Sequence, residues 1–202
     1  MTAPASIVIP IKGLRTGKSR LADVLTEGDR LALNRHLAKH TLSVVSEIGQ
    51  IAGVFVISPD PLVGKILAEF SVRFLLQKTE GLNPALDEAA RQIPDRRTLY
   101  LAADLPHIDA DDIRILLDTA DVGIAADLHG NGTNALCVPG PRALEFRFGP
   151  DSYRAHTDLA TSSGYRITAI KRPGLAFDLD TKTDLARMKG WPKAIEPGTL
   201  RA

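Results

Sequence analysis

The chain has 202 residues, 44% hydrophobic and 24% charged, with a net charge of +1. That length suits one domain with a sizeable core, and near-neutrality excludes a strong field aimed at nucleic acid or an anionic membrane. The single cysteine, Cys137, excludes an internal disulfide framework and a cysteine-built zinc site, as fits a reducing cytoplasm.

The first element is a strand over Ser6–Ile11, β-branched and apolar on both faces. Nothing before it reads as a signal peptide, and no apolar run reaches the roughly 18 residues of a membrane span. Asp29–Ile48 carries Leu33, Leu37, Val44, Val45 and Ile48 at helical spacing. A strand over Gly53–Ser58, a helix over Pro61–Glu69 and a strand over Val72–Leu76 come next. A helix over Asn83–Ile93, a strand over Thr98–Ala103 and a helix over Asp109–Thr119 complete the first half. This alternation, with strands apolar on both faces, predicts an α/β fold: a mostly parallel central sheet covered by helices on both sides. Ligands of such sheets bind beyond the carboxyl ends of the strands.

The second half is less regular. Strands over Val122–Ala126 and Ala135–Val138 flank a glycine-rich turn, His129–Asn134, and read as a hairpin. Ser152–Ser163 is a helix with Ser152 as its expected N-cap. A strand over Tyr165–Ile170 precedes Phe177–Asp180, which leads into a helix from Thr183 to about Lys189. One domain over residues 1–190 is expected, with a loose Pro- and Gly-rich tail over 191–202.

Four constellations carry chemistry. Lys12, Arg15, Lys18 and Arg20 crowd the loop after the first strand. The loop nearly matches a phosphate-binding P-loop, but three residues rather than four separate Gly13 from Gly17. A backbone cage of fixed size does not tolerate that deletion. A loop that holds a triphosphate by side-chain charge is the preferred reading, and a solvated basic loop the bland one. Asp104 ends an apolar strand, where an acid calls for a cation or a base; a turn acid is the simpler alternative. Asp178 and Asp180 are two apart on an extended segment and face one spot, as a hard divalent cation prefers; two surface acids, the second capping a helix, are the alternative. The Gly130–Asn134 and Phe148–Ser152 segments offer backbone N–H groups to an anion, or simply make a turn and a helix cap.

Other residues stay with structure. Cys137 reads as core, and His36 and His40 as a solvated helix face. No G-x-S-x-G elbow marks a serine hydrolase. Aromatic residues are too few for a platform that stacks single-stranded nucleic acid.

Taken in order, Ile9-Pro10-Ile11-Lys12 with Lys18-Ser19-Arg20-Leu21, Gly81-Leu82-Asn83, Ala103-Asp104-Leu105-Pro106, Gly132-Thr133-Asn134, Phe148-Gly149 with Ser152 and His156, and Asp178-Leu179-Asp180-Thr181 resemble the 2-phospho-L-lactate and phosphoenolpyruvate guanylyltransferases of coenzyme F-420 biosynthesis. Pro84 and His107 depart from that pattern. The resemblance implies the Rossmann-like fold of nucleotide-diphospho-sugar-type nucleotidyltransferases. It implies transfer of GMP from GTP to a small phosphorylated acid (phosphoenolpyruvate, 2-phospho-L-lactate or 3-phosphoglycerate), with pyrophosphate released. Asp104, Asp178 and Asp180 would hold Mg²⁺. Lys12, Lys18, Arg20 and Asn83 would bind the nucleotide, with Lys18, Arg20 and Asp104 serving catalysis. Thr133, Gly149 and Ser152 would bind the acid. The implied partners are GTP and the acid, with room for a homo-oligomer and for a downstream enzyme that takes the product. The competing expectations are a nucleotidyltransferase using CTP or a sugar phosphate, a P-loop-like NTPase, and a catalytically silent nucleotide-binding module.

Overall fold

The computed structural model describes residues 4–49 and 51–188. The expected loose tail lies outside the described residues.

Seven strands form one sheet in the order β3-β2-β1-β4-β6-β5-β7. They are β1 (Ala5–Pro10), β2 (Ile51–Ser58), β3 (Arg73–Leu76), β4 (Thr98–Leu101), β5 (Val122–Ala126), β6 (Thr133–Val138) and β7 (Ile167–Ala169). β6 runs antiparallel to both of its neighbours, β4 and β5, and the other pairings are parallel. The fold is the predicted α/β class. The hairpin of β5 and β6 is present, but it folds back so that β6, not β5, lies beside β4.

The helices are α1 (Glu27–Ser46), α2 (Pro61–Ile66), α3 (Leu82–Ala90), α4 (Ala110–Leu117), α5 (Ser152–Ser162), α6 (Pro173–Ala176) and α7 (Lys182–Arg187). α1 begins where Thr26 and Asp29 cap each other reciprocally, which satisfies N–H groups that the first turn leaves over. Alternate side chains of each buried strand feed opposite cores. Ile7, Ile9 and Leu99 join Ala38, Leu42 and Ile113 on the α1 and α4 side. Val8, Phe55 and Tyr100 join Leu86, Ala89 and Ala160 on the α3 and α5 side.

A third, smaller cluster matters most for function. Leu21, Leu25, Leu33 and Leu37 surround Leu179, which is fully buried. Burying such a side chain contributes about 2 kcal/mol. The segment after the basic loop, the first half of α1 and the late Asp-Leu-Asp stretch therefore share one foundation.

Two expected features differ. Asp151, not Ser152, occupies the N-cap of α5, in left-handed backbone with φ of 56° and no capping bond from its side chain. Ser152 is inside the helix and buried. His36 and His40 are half-buried rather than solvated, and the His40 Nε2 atom is shielded from solvent.

Candidate active site

The parallel strands β1 and β4 end on the same edge of the sheet, and antiparallel β6 begins there. Residues just past β1 and β4 therefore meet residues opening β6. At this edge lies an open cavity of about 1070 Å³. Lys12, Lys18, Arg20, Asp104, Asp178 and Asp180 all line it.

The basic loop is not a P-loop. Its Gly17 N–H bonds the Gly13 carbonyl at 3.0 Å, Leu14 is buried, and the Asp60 carboxylate accepts from Leu14 N at 3.2 Å. Asn34 donates to the Leu14 carbonyl at 2.8 Å. The loop runs into a single 3-10 turn, Ser19–Leu21, and α1 starts only at Glu27. The helix that would follow a P-loop directly in sequence is therefore missing, and the N-cap of α2, Asp60, sets a carboxylate against Gly13 instead. Charge on side chains is what the loop offers. Arg15 does not join in: it turns away to Glu27 at 3.1 Å on the exposed surface.

Lys18 sits in left-handed backbone with φ of 56°, a conformation uncommon for a residue with a side chain. It aims the ammonium inward. Nζ lies 2.5 Å from Asp104 Oδ2 and 3.8 Å from Asp180 Oδ1. The Lys18 side chain is 7% exposed, whereas that of Arg20, which meets Asp180 at 2.6 Å, is 72% exposed. The two cations thus have different characters. Lys18 is an internal counter-ion, and Arg20 is a solvated arm held to Asp180 at the cavity's edge.

Asp178 is the strained member of the acid set. Burial and, second, the Asp104 carboxylate push its pKa up, while a bond from Asn134 and the Lys18 charge oppose the rise. Asn134 owes its place to an irregularity in β6. Ala125 pairs with Ala135 and Ala126 with Thr133, so Asn134 is the extra residue of a bulge. Its Nδ2 reaches the Leu175 carbonyl at 3.0 Å, the Ala176 carbonyl at 3.3 Å and Asp178 Oδ1 at 3.4 Å. The Leu179 N–H also bonds the Asp104 carbonyl at 3.0 Å. Behind α6, Arg172 Nε donates to buried Asp112 at 2.6 Å. Gly174 packs so closely there that a Cβ would strike the Asp112 carboxylate and lie 2.6 Å from the His107 carbonyl oxygen.

The donor set fits a hard divalent cation. Three carboxylates share the cavity, and one of them, Asp178, is driven towards its neutral form by burial first and by Asp104 second, a conflict that a cation relieves. Among the described residues, however, no three His, Cys, Asp or Glu side chains stand ready as a closed metal cage. Mg²⁺ does not need one, since it is held by one or two carboxylates plus substrate phosphates and water.

A second cluster lies on the other side of β6. Thr133 Oγ1 is 3.0 Å from His156 Nδ1, and the Arg147 N–H donates to His156 Nε2 at 3.0 Å. His156 is fully buried, and burial pushes its pKa down to about 4. Phe148 packs edge-on against the ring, with centroids 4.7 Å apart. Gly149 has φ of 132° and open space where a Cβ would be, and its carbonyl accepts from Ser152 N at 3.2 Å. Asn83 pins this loop reciprocally: it donates to the Phe148 carbonyl at 3.0 Å and accepts from Phe148 N at 2.8 Å.

The structure therefore brings Lys12, Lys18, Arg20, Asp104, Asp178 and Asp180 around one cavity. It gathers Thr133, Gly149 and Ser152 at the start of α5, one strand position away. Asn83 stands with this second group, its amide committed to Phe148. Asn134, Arg172 and Asp112 are the supports that sequence reading missed. The Gly-Thr-Asn run was visible, but the bulge that turns Asn134 towards Asp178 was not. Cys137 is buried as expected, its thiol pushed up to about 11 by burial.

Residues 5–190 match the family model described as guanylyl transferase CofC like. A phosphoenolpyruvate guanylyltransferase of Rubrobacter xylanophilus is 39% identical over 189 residues, which cover 90% of this chain and 92% of that one. One of Chloroflexus aggregans is 37% identical, with 95% and 98% covered. Among solved structures, a protein of Desulfovibrio desulfuricans G20 assigned to the nucleotide-diphospho-sugar transferases superposes with a TM-score of 0.74 at 18% identity, over 98% of this chain and 93% of that one. That likeness carries the fold alone.

Proposed function

We propose that this chain, which belongs to the CofC-like guanylyl transferase family, transfers GMP from GTP to phosphoenolpyruvate and releases pyrophosphate. It is a nucleotidyltransferase, and the reaction is the guanylyl transfer of coenzyme F-420 biosynthesis. The observation that carries the finer reading is the pairing of Lys18 and Arg20 with Asp104 and Asp180, beside Asp178, at one cavity. Phosphoenolpyruvate is the acceptor named for the relatives at 39% and 37% identity.

Both reactants are anions, so bringing them together is the main barrier. An oxygen of the acceptor's phosphate attacks the α-phosphorus of GTP. The bond from that phosphorus to the bridging oxygen breaks, and pyrophosphate leaves with its electron pair. The attacking phosphate is already ionised at neutral pH, so no general base is required. Lys12 and Arg20 bind the triphosphate, and Lys18 neutralises charge that builds on the leaving pyrophosphate. Asp104, Asp178 and Asp180 would hold Mg²⁺, which supplies charge screening between the two anions. Thr133, Gly149 and Ser152 bind the carboxylate end of the acid, and Asn83 holds their loop. A cytoplasmic setting agrees with the lone buried thiol.

The test is pyrophosphate release from GTP and Mg²⁺ with phosphoenolpyruvate, 2-phospho-L-lactate or 3-phosphoglycerate added separately, and product mass read in parallel. Release that depends on phosphoenolpyruvate, with a product of that acid plus GMP, is expected. No release with any of the three, alongside clear GTP binding, would sink the acceptor assignment.

A further inference from the structure

The His156 ring has a definable proton. The backbone N–H of Arg147 points at Nε2, and a nitrogen that accepts carries no hydrogen. In neutral imidazole the proton then resides on Nδ1. That nitrogen is 3.0 Å from Thr133 Oγ1, so the ring donates and the hydroxyl oxygen accepts. A doubly protonated ring would oppose one N–H to another across the Arg147 contact. Full burial against Phe148 holds the ring in place. Asn83 fixes the loop that supplies the Arg147 amide, through its two bonds to Phe148.

A threonine hydroxyl has one hydrogen and two lone pairs. With a lone pair engaged by the ring, the hydrogen is left to point elsewhere. Ser152 lies one turn before His156 on the same face of α5, so the hydroxyl stands where the acid-binding cluster gathers.

We propose that His156 is a positioning residue that, by donating from Nδ1, engages a lone pair of the Thr133 hydroxyl and leaves its hydrogen to be donated towards the bound acid. The hydroxyl then offers its hydrogen to an acceptor oxygen at that point, as a carboxylate supplies. This rests on the reading that Thr133 contacts the acid. It adds a specificity device in which the group meeting the carboxylate at Thr133 is a neutral hydroxyl.

Two measurements separate this inference from the reading beneath it. Long-range proton–nitrogen correlation on the substrate-free protein, with labelled histidine, reads the tautomer at neutral pH. A protonated Nδ1 with a bare Nε2 is expected; the opposite tautomer, or an imidazolium, overturns the inference. Steady-state kinetics then rank His156→Asn and His156→Gln. An Asn amide reaches the Nδ1 position and can still donate to Thr133. A Gln carbonyl reaches the Nε2 position and keeps only the Arg147 bond. His156→Gln is expected to raise KM for the acid about tenfold with KM for GTP unchanged, and His156→Asn by about threefold or less. The reverse ranking would mean that holding the Arg147 loop is the whole role of the ring. Thr133→Val is the control: an unchanged KM for the acid removes Thr133 from the acid site and takes the underlying reading with it. An impaired Val variant beside a Gln variant like wild type overturns the inference on His156 alone.

Discussion

Two neighbouring residues of β6 face opposite chemistries. Asn134 looks towards Asp178, Asp104 and Lys18, where charges crowd and one acid is held uphill of its ordinary ionisation. Thr133 looks towards His156, a neutral ring whose two nitrogens are both engaged. The first side stores unmet demand for positive charge. The second is settled before any ligand arrives. On the proposed reading, a transfer between two anions uses both: an electrostatic partner for the triphosphate, and a neutral grip that orients the acid without competing for the same cations.

The contrast can be broken hardest at Asp104. Asp104→Asn is expected to lower turnover by about a thousandfold in a folded protein. Calorimetry should still detect the acid, because the contacts proposed for it belong to the Thr133 cluster. Wild-type-like turnover would remove Asp104 from the chemistry.

The neutral side is tested by pH. His156 has its pKa lowered in the fold, so the unfolded chain binds the proton more readily. The stability this contributes is intact above the unfolded value of about 6.5 and is lost as pH falls towards 4, by up to about 3 kcal/mol. Denaturant unfolding at pH 7 and pH 4.5 should show the fall, and His156→Gln should shrink it. An equal fall in that variant would assign the acid sensitivity elsewhere.

Gly174→Ala attacks the support of the charged side. The new methyl group meets Asp112 and the His107 carbonyl, so α6 must shift. A loss of about 2 kcal/mol is expected, read as a lower midpoint in urea, with weaker Mg²⁺-dependent nucleotide binding and an unchanged tautomer at His156.

The smallest effect is the most diagnostic. Ionised Asp178 costs the fold stability, since burial and Asp104 both oppose its charge. Asp178→Asn removes that charge. The metal-free variant should melt higher by about 2 °C while losing activity. A lower melting temperature would mean that the acid is structurally needed, not electrostatically burdensome.

Much of this was legible in the residues. Apolar strands alternating with helical spacing gave the sheet, and the Asp-Leu-Asp run gave two acids on one face because an extended chain alternates. Leu179 between them, buried among Leu21, Leu33 and Leu37, is the physical reason they face inward. What stayed hidden was not local. α6 has four residues and no periodic pattern. The insertion of β6 between β4 and β5 is a choice among pairings that strand composition does not make. Asn134 gains its role from a bulge of one residue, and a shift of that size decides which face a side chain serves. Arg15 and Arg20 looked alike in sequence, yet only one points at the cavity.

Leu179 also sets a schedule. The acids it carries meet a loop made some 160 positions earlier in the chain, as the contact of Arg20 with Asp180 records. On the ribosome, synthesis runs from one end to the other, and most of the sheet is complete before this residue emerges. Until then Asp104 and Lys18 have no Asp178 and Asp180 to complete their set. Asp178 and Asp180 thus come after the residues of every strand of the described sheet, seated by a leucine among leucines made long before it.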